Sequence, residues 1–258
     1  MLATILRPIE EDLNKVYDLM DREMAYITRH AGELHWFGQL PTRMALRPAL
    51  VILSSGMYGG NPEQTRVLAT VFQFIFLASY THDSLSEDFA GVTTKENGIS
   101  ARDRFMILLG DFFYSRASVI ILESGIKGML SPLAEIVSLM QEGCIEKNRL
   151  AGDSLDPKKL RDAIRKETAE LMAGCCRLGA CLAGTTAEDQ ENMDTFGRNL
   201  GMAYGLSKMG APIDQIVYYG DKGHKALQQM PLKPERIILE QLIKLISCGD
   251  VEMQRLVG

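Results

Sequence analysis

An uncharged, largely apolar run from Val67 to Tyr80 constrains the fold more than any other segment of this chain. The run is longer than a typical strand of about five to six residues, and its length fits a buried helix. A helix that is apolar on every side needs neighbours around its whole circumference. The other segments repeat their apolar residues with helical spacing, and none alternates as a half-buried strand does. These patterns predict an all-α fold.

Proline, glycine and acidic residues mark the ends of the predicted helices. We expect loops around Gly91, Asn97 and Gly98 and at 220–223. A chain of 258 residues, 46% of them hydrophobic, fits one domain over residues 1–258. The sequence therefore predicts a single-domain bundle of roughly ten helices. The clearest of them span 8–29, 47–59, 62–83, 107–123, 132–147, 157–183, 188–206 and 234–248.

Composition excludes several classes of function. The net charge is −5, the pI is about 5.5, and no basic stripe recommends a nucleic-acid surface. The 5 cysteines are odd in number and irregularly spaced, which favours reduced thiols that pack as small apolar groups. The first residues do not resemble a secretory signal, and no apolar stretch of membrane-spanning length lacks polar interruption. We therefore expect no transmembrane segment and a cytoplasmic location.

Acidic residues follow the long apolar run. Asp83 and Glu87 are four residues apart and share one face of a helix, and Asp88 comes next. Mg²⁺ prefers oxygen ligands, and substrate phosphates commonly complete its octahedron. Ser84 stands beside Asp83, where a second strong ligand would help most. The cluster predicts a partial metal site formed by Asp83, Glu87 and Asp88, and the alternative for the cluster alone is a solvated loop.

Several segments, in order along nearly the whole chain, resemble landmarks of the trans-type polyprenyl diphosphate synthase family. They are 46–51, 82–87, 110–117, 142–143, 168–171 with 176–180, and 196–204. The resemblance implies the all-α fold of the isoprenoid synthases. It also implies transfer of prenyl groups from an allylic diphosphate that Mg²⁺ ions hold on two facing aspartate-rich motifs.

The chain departs from the resemblance at both aspartate-rich motifs. Ser84 replaces an aspartate of the first motif. The paired aspartates of the second motif would fall at Lys208 and Met209, and the third would fall at Pro212. Because such a site must stabilise the charge of the departing diphosphate, these losses remove the groups on which ionisation depends. We assign no catalytic residue.

The diphosphate-binding cations of the family are also reduced. Arg47 is retained, whereas the lysine and arginine expected before it fall at Met44 and Ala45. Glu167 occupies the place of the lysine before segment 168–171, and Lys166 lies one position away, about 100° around a helix. The resemblance therefore implies residual diphosphate binding by Arg47 and Lys166.

Two further features are implied by the resemblance alone. Residues one or two turns before the first motif line the tunnel for the growing prenyl chain in the family. Here they are Phe74, Leu77, Ala78 and Ser79. Family dimers pack through helices, so we expect the helix around 110–122 to form much of a subunit interface.

The leading hypothesis is a non-catalytic or regulatory subunit of a heteromeric trans-prenyl diphosphate synthase. Such pairs make medium or long prenyl diphosphates, typically for quinone side chains. The implied partners are a catalytic prenyl diphosphate synthase subunit and a prenyl diphosphate ligand, with Mg²⁺ supplied through the partner subunit. We expect the chain to be inactive alone, and a homodimer stays open when the partner is absent.

Two alternatives remain. One is a divergent, active, Mg²⁺-dependent class I prenyltransferase that acts on allylic and isopentenyl diphosphates. In that case Asp83, Glu87 and Asp88 would carry the metal, and Arg47 with Arg102 or Arg104 would meet the diphosphate. The other is an isoprenoid-binding or scaffold protein without an enzyme partner.

Overall fold

The computed structural model describes residues 1–31, 40–89, 100–150 and 156–248. Every regular element in these ranges is helical, which confirms the all-α prediction. The α-helices are α1 (Leu2–Leu6), α2 (Glu10–Glu23), α3 (Ala25–Ala31), α4 (Leu46–Met57), α5 (Pro62–Phe89), α6 (Ala101–Glu123), α7 (Leu130–Leu150), α8 (Pro157–Ile164), α9 (Glu170–Leu182), α10 (Ala187–Lys208), α11 (Ile213–Leu227) and α12 (Pro234–Ser247). A 3₁₀ turn at Arg7–Ile9 joins α1 to α2, and a π turn at Arg165–Ala169 joins α8 to α9. If each joined pair is taken as one continuous helical segment, the fold has roughly ten such segments.

Helix α5 lies at the centre of the bundle, as its apolar run predicts. It packs against α2, α4, α6, α7 and α9. Leu68, Phe72, Phe74 and Leu77 are fully buried along it. Burial of each such side chain contributes about 1.5–3 kcal/mol, so α5 organises the core. The helix continues past Asp83 to Phe89 because no glycine or proline interrupts it there.

The predicted loop at 220–223 is wrong. These residues lie inside α11, which packs against α12. A Cβ atom at Gly220 would meet the Ser247 side chain, and one at Gly223 would meet the Ile243 side chain. The two glycines therefore serve the close approach of two helices and do not form a turn. The other predicted loop, around Gly91 to Gly98, lies outside the described residues.

Helix α6 begins at Ala101, earlier than its apolar pattern predicts, because Ser100 caps it. The Ser100 hydroxyl accepts a hydrogen bond from the Asp103 amide at 3.0 Å. The length and the apolar composition of α6 would allow it to cross a membrane. In the structure, 39% of its most apolar stretch is buried. Asp111 and Arg116 interrupt the stretch, and core helices of soluble proteins satisfy the same criteria. Its inner face packs along α5.

Glycine residues allow α7 and α10 to pack closely against the π turn. A Cβ atom at Gly143 of α7 would lie 2.5 Å from the Glu167 amide nitrogen. A Cβ atom at Gly201 of α10 would lie 2.5 Å from the Ala169 Cα atom on the other side. Distances this short are not tolerated between a Cβ atom and backbone atoms. The small residues of these helices therefore fix the position of the π turn between α7 and α10.

We expect Gly197→Ala to destabilise the fold by about 1–3 kcal/mol, since its Cβ atom would lie 2.5 Å from the Met172 carbonyl oxygen. Gly56→Ala is the matched control, because the added Cβ atom would meet only the Glu235 side chain at ordinary contact distance. There, helix propensity predicts a gain of up to about 1 kcal/mol. Urea unfolding followed by circular dichroism measures both free energies. Equal stabilities of the two variants would contradict the close packing of α9 and α10.

Candidate active site

A cavity of about 260 Å³ opens at the polar end of the central helix, between α4, α5, α7, the π turn and α10. Its apolar wall includes Phe76 and Tyr204, and its charged members come from five different elements. They are Arg47, Asp83, Lys147, Glu167 and Lys208. A larger groove of about 520 Å³ lies between α11 and α12, but its ionisable side chains are exposed or half-buried. The smaller cavity is therefore the candidate site, because charges of both signs converge there.

Arg47 supplies a buried positive charge to this cavity. The residue is only 4% exposed, and its guanidinium carbon lies 3.6 Å from the centre of the Phe76 ring. The guanidinium also donates a hydrogen bond to the Tyr204 hydroxyl. Its Nε and Nη1 atoms are buried and have no hydrogen-bond partner among the described residues. Burial lowers the pKa of Arg47, yet an arginine stays protonated in proteins, so the cavity contains a cation with unused donors.

Lys147 of α7 joins the two acidic side chains of the cavity. Its Nζ atom lies 2.6 Å from Glu167 Oε1 and 3.5 Å from Asp83 Oδ2. All three side chains are mostly buried, with exposures between 19% and 33%. Burial alone would lower the pKa of Lys147, but Glu167 and Asp83 outweigh it and raise that pKa. The lysine is therefore charged at neutral pH, and it neutralises much of the acidic pair.

Lys208 adds a third cation at the rim, near the C-terminal end of α10. Its ammonium nitrogen lies 5.9 Å from the centre of the Tyr204 ring. Although the residue as a whole is exposed, desolvation of its ammonium and the like charge of Arg47 lower the pKa of Lys208. The described lining thus contains three cations and the carboxylates of Asp83 and Glu167.

The described side chains do not fit a magnesium ion. Asp83, Cys144 and Glu167 each place one potential ligand atom within 4.8 Å of the others. Burial, with Glu167 and Asp83, raises the pKa of the Cys144 thiol to about 11, and Mg²⁺ prefers oxygen ligands to sulfur. The Lys147 ammonium already contacts the two carboxylates. A cation of the protein therefore competes with a metal for the same oxygen atoms.

The remaining predicted metal ligands are Glu87 and Asp88, and the second motif of the family offers further positions. Glu87 and Asp88 belong to α5, but their side chains lie outside the described residues. Lys208 and Met209, at the positions where the second motif would supply aspartates, both line the cavity. Neither can provide a carboxylate ligand.

The two predicted diphosphate-binding residues are separated in the structure. Arg47 lines the cavity, whereas the Lys166 ammonium is paired outside it with Glu142 at 3.1 Å and Glu146 at 2.6 Å. The two neighbours Lys166 and Glu167 lie in the π turn and point in different directions, as adjacent residues of a helix do, so only Glu167 lines the cavity. Lys147 is a cavity residue that sequence reasoning missed, since its role depends on contacts between distant helices.

The predicted tunnel residues also divide. Ser79 lines the cavity, but Phe74, Leu77 and Ala78 are fully buried in the core. Phe74 stacks against Phe113 of α6, with ring centres 5.6 Å apart. These three residues lie on a different face of α5 from Asp83, and their lining of a tunnel stays a prediction.

An apolar pocket of about 250 Å³ lies between α5, α6 and α7. Ile75 and Val71 line it, one and two turns before Ser79 on the i, i+4 ridge of α5 that continues to Asp83. Tyr114 of α6 also lines it, and its hydroxyl accepts a hydrogen bond from Gln141 at 2.6 Å. One stripe of α5 thus leads from the charged cavity to an apolar pocket.

Comparison with known proteins agrees with this architecture. The family model described as polyprenyl synthetase matches residues 44–207. That segment contains α4 to α9 and nearly all of α10, and therefore every charged residue of the cavity except Lys208.

Curated relatives are distant but extend over much of the chain. The octaprenyl diphosphate synthase of Escherichia coli K12 is 24% identical over 226 residues, which are 87% of this chain and 65% of that protein. The heptaprenyl diphosphate synthase component 2 of Geobacillus stearothermophilus is 28% identical over 166 residues, covering 63% of this chain and 51% of that protein. The chain thus spans less than two thirds of the length of these relatives.

Solved structures share the fold. A decaprenyl diphosphate synthase from Rhodobacter capsulatus superposes with a TM-score of 0.83 at 15% identity, covering 96% of this chain and 98% of the other. A polyprenyl synthase from Caulobacter crescentus CB15, complexed with calcium and isoprenyl diphosphate, has a TM-score of 0.79 at 19% identity, with 96% and 97% covered. Since the family match also covers well over half of its residues, the chain belongs to the polyprenyl synthetase family.

Proposed function

We propose that this chain is a non-catalytic or regulatory subunit of a heteromeric prenyl diphosphate synthase that makes medium or long prenyl chains. One observation carries the proposal: the protein's own cations lie in the part of the cavity where the family resemblance implies Mg²⁺ ions. Lys147 contacts Asp83 and Glu167, and Lys208 stands at a position of the second motif.

The chemistry of ionisation explains why this matters. An allylic diphosphate leaves only if the charge that develops on it is stabilised, and metal ions supply much of that stabilisation. The described cavity has carboxylates only at Asp83 and Glu167, and both contact Lys147. We infer that a catalytic partner subunit provides the Mg²⁺ site, and that this chain contributes binding and assembly.

The relatives support the class of product. The names octaprenyl diphosphate synthase and heptaprenyl diphosphate synthase component 2 both refer to medium or long prenyl diphosphates. The second name also implies an enzyme with more than one component. The apolar pocket beside Val71 and Ile75 offers a surface of suitable chemistry for a prenyl tail.

The outer face of α6 is the proposed contact with the partner. Leu108 is 67% exposed and Leu122 is 47% exposed, although both are large apolar residues. Phe105, Phe112 and Val119 are half-buried. Their spacing places them on one stripe of α6 with Leu108 and Leu122. A stripe of this kind commonly packs against a second helix. A second copy of the chain is the alternative occupant.

A second candidate is an active, divergent prenyltransferase. The close approach of Asp83, Cys144 and Glu167 favours it, because these groups lie near enough to share one ion. That candidate requires the Lys147 ammonium to move away from both carboxylates when the ion binds.

We expect the chain alone to give no product from radiolabelled isopentenyl diphosphate, an allylic diphosphate and Mg²⁺. Mixed with a catalytic prenyl synthase subunit from the same genome, it should yield medium or long prenyl diphosphates that the partner alone does not make at the same rate. Chromatography of the labelled products measures both reactions. Mg²⁺-dependent product from the chain alone would establish the second candidate instead.

We expect the double substitution Leu108→Glu with Leu122→Glu to weaken association with the catalytic subunit by at least about 2 kcal/mol, roughly thirtyfold, because association would bury two charges. Sedimentation velocity of the mixed subunits measures the affinity. Leu232→Glu is the matched control, since Leu232 is 77% exposed in the connection between α11 and α12. Equal affinities of the double variant and the control would show that α6 is not the interface.

A further inference from the structure

The cation that faces Glu167 in the cavity belongs to a different helix from the one that the family resemblance implies. The family resemblance places a lysine before segment 168–171, where this chain has Glu167. Lys147, on the facing helix α7, reaches back and places its Nζ atom 2.6 Å from Glu167 Oε1. The same ammonium lies 3.5 Å from Asp83 Oδ2. Lys147 therefore restores the positive charge that Glu167 replaces, and it lies between the carboxylates that could otherwise hold an ion.

Arg47 provides an independent sign of a ligand. A guanidinium that is only 4% exposed normally satisfies its donors, because a buried unpaired donor is costly. Here the Nε and Nη1 atoms have no partner within the described part of the chain, although the side chain lines the cavity. Guanidinium groups donate charge-assisted hydrogen bonds to phosphate oxygens.

We propose that this cavity is a metal-independent site for a diphosphate group, recognised by Arg47 and Lys147, in which the Lys147 ammonium takes the place of a divalent cation. Lys208 contributes a third positive charge at the rim. With Arg47, Lys147 and Lys208 counted as positive and Asp83 and Glu167 as negative, the described lining carries one net positive charge, which attracts an anion without a metal.

The positions of the charged cavity and the apolar pocket also predict how a prenyl diphosphate would be oriented. The diphosphate would contact Arg47 and Lys147 in the charged cavity, and a prenyl tail would follow the stripe of Ser79, Ile75 and Val71 toward the apolar pocket. Only the identity of the tail rests on the proposed function. The recognition of the diphosphate rests on the charges and donors of the cavity itself.

Isothermal titration of the purified chain with inorganic pyrophosphate, in EDTA and then in Mg²⁺, tests the proposal. We expect binding in EDTA with an affinity that Mg²⁺ does not raise. Lys147→Met and Arg47→Met should each weaken binding by about 10- to 100-fold, the range for loss of a hydrogen bond to a charged group. Lys222→Met, on the distant helix α11, is the matched control and should bind as the unmodified chain does.

Two further variants keep the test decisive if Arg47→Met fails to fold. Glu167→Gln should bind pyrophosphate more tightly, because it removes a negative charge from the cavity and releases Lys147. Lys147→Met should also gain affinity for Mn²⁺, measured by electron paramagnetic resonance, since Asp83 and Glu167 lose their cation. Absence of pyrophosphate binding in EDTA, or equal binding by Lys147→Met and the unmodified chain, would overturn the proposal.

A second titration, with farnesyl thiodiphosphate, separates a prenyl diphosphate from free diphosphate as the ligand. Tighter binding of the prenylated probe, lost in Val71→Asp, supports a prenyl diphosphate. Equal affinities for the two probes would support a free diphosphate in the same site. Because these titrations use the chain alone, failure of the heteromer to form product would not alter their outcome, and the two proposals can fail separately.

Discussion

The close packing of α7 and α10 around the π turn at Arg165–Ala169 is the constraint on which the site depends. Gly143 and Gly201 allow backbones to approach from opposite sides, and no larger residue fits either place. The extra residue of a π turn changes which side chains face inward. Within this turn Glu167 lines the cavity, whereas Lys166 pairs with Glu142 and Glu146 of α7. The place of Glu167 beside Lys147 therefore depends on the close packing of α7 against the turn.

The charge pattern that results differs from that of a metal site. A metal site for diphosphate concentrates carboxylates and relies on divalent ions to invert their charge. In the described cavity, Lys147 contacts both carboxylates, and together with Arg47 and Lys208 it gives the protein's own cations the excess of charge. An ammonium can hold a phosphate as a point charge, but it provides a single charge and no open coordination positions. This difference separates binding of a diphosphate, which the cavity supports, from its activation, which we assign to the partner.

The sequence predicts the fold better than the site. Local patterns predict the helix that becomes α5 and the helix that begins at Pro157. Both are present in the structure, where Asp156 caps the second. The prediction of a loop at 220–223 is wrong because the glycines there allow close contact with α12, and such a contact has no signature in the local sequence. Lys147 gave no local signal, since its partners lie 64 and 20 residues away along the chain. Long-range contacts of this kind are not encoded in any periodicity.

Arg47 gives the strongest argument that the cavity binds something. Two nitrogen atoms of this buried guanidinium have no partner in the part of the chain that the structure describes, and an apolar side chain at that position would avoid the desolvation cost. Phe76 and Tyr204 hold the group in place through ring contact and a hydrogen bond, but they do not satisfy its other donors. An anionic ligand would satisfy them. A buried cation with donors left over, beside carboxylates that Lys147 contacts, therefore supports the proposed role of a subunit that binds a diphosphate without activating it.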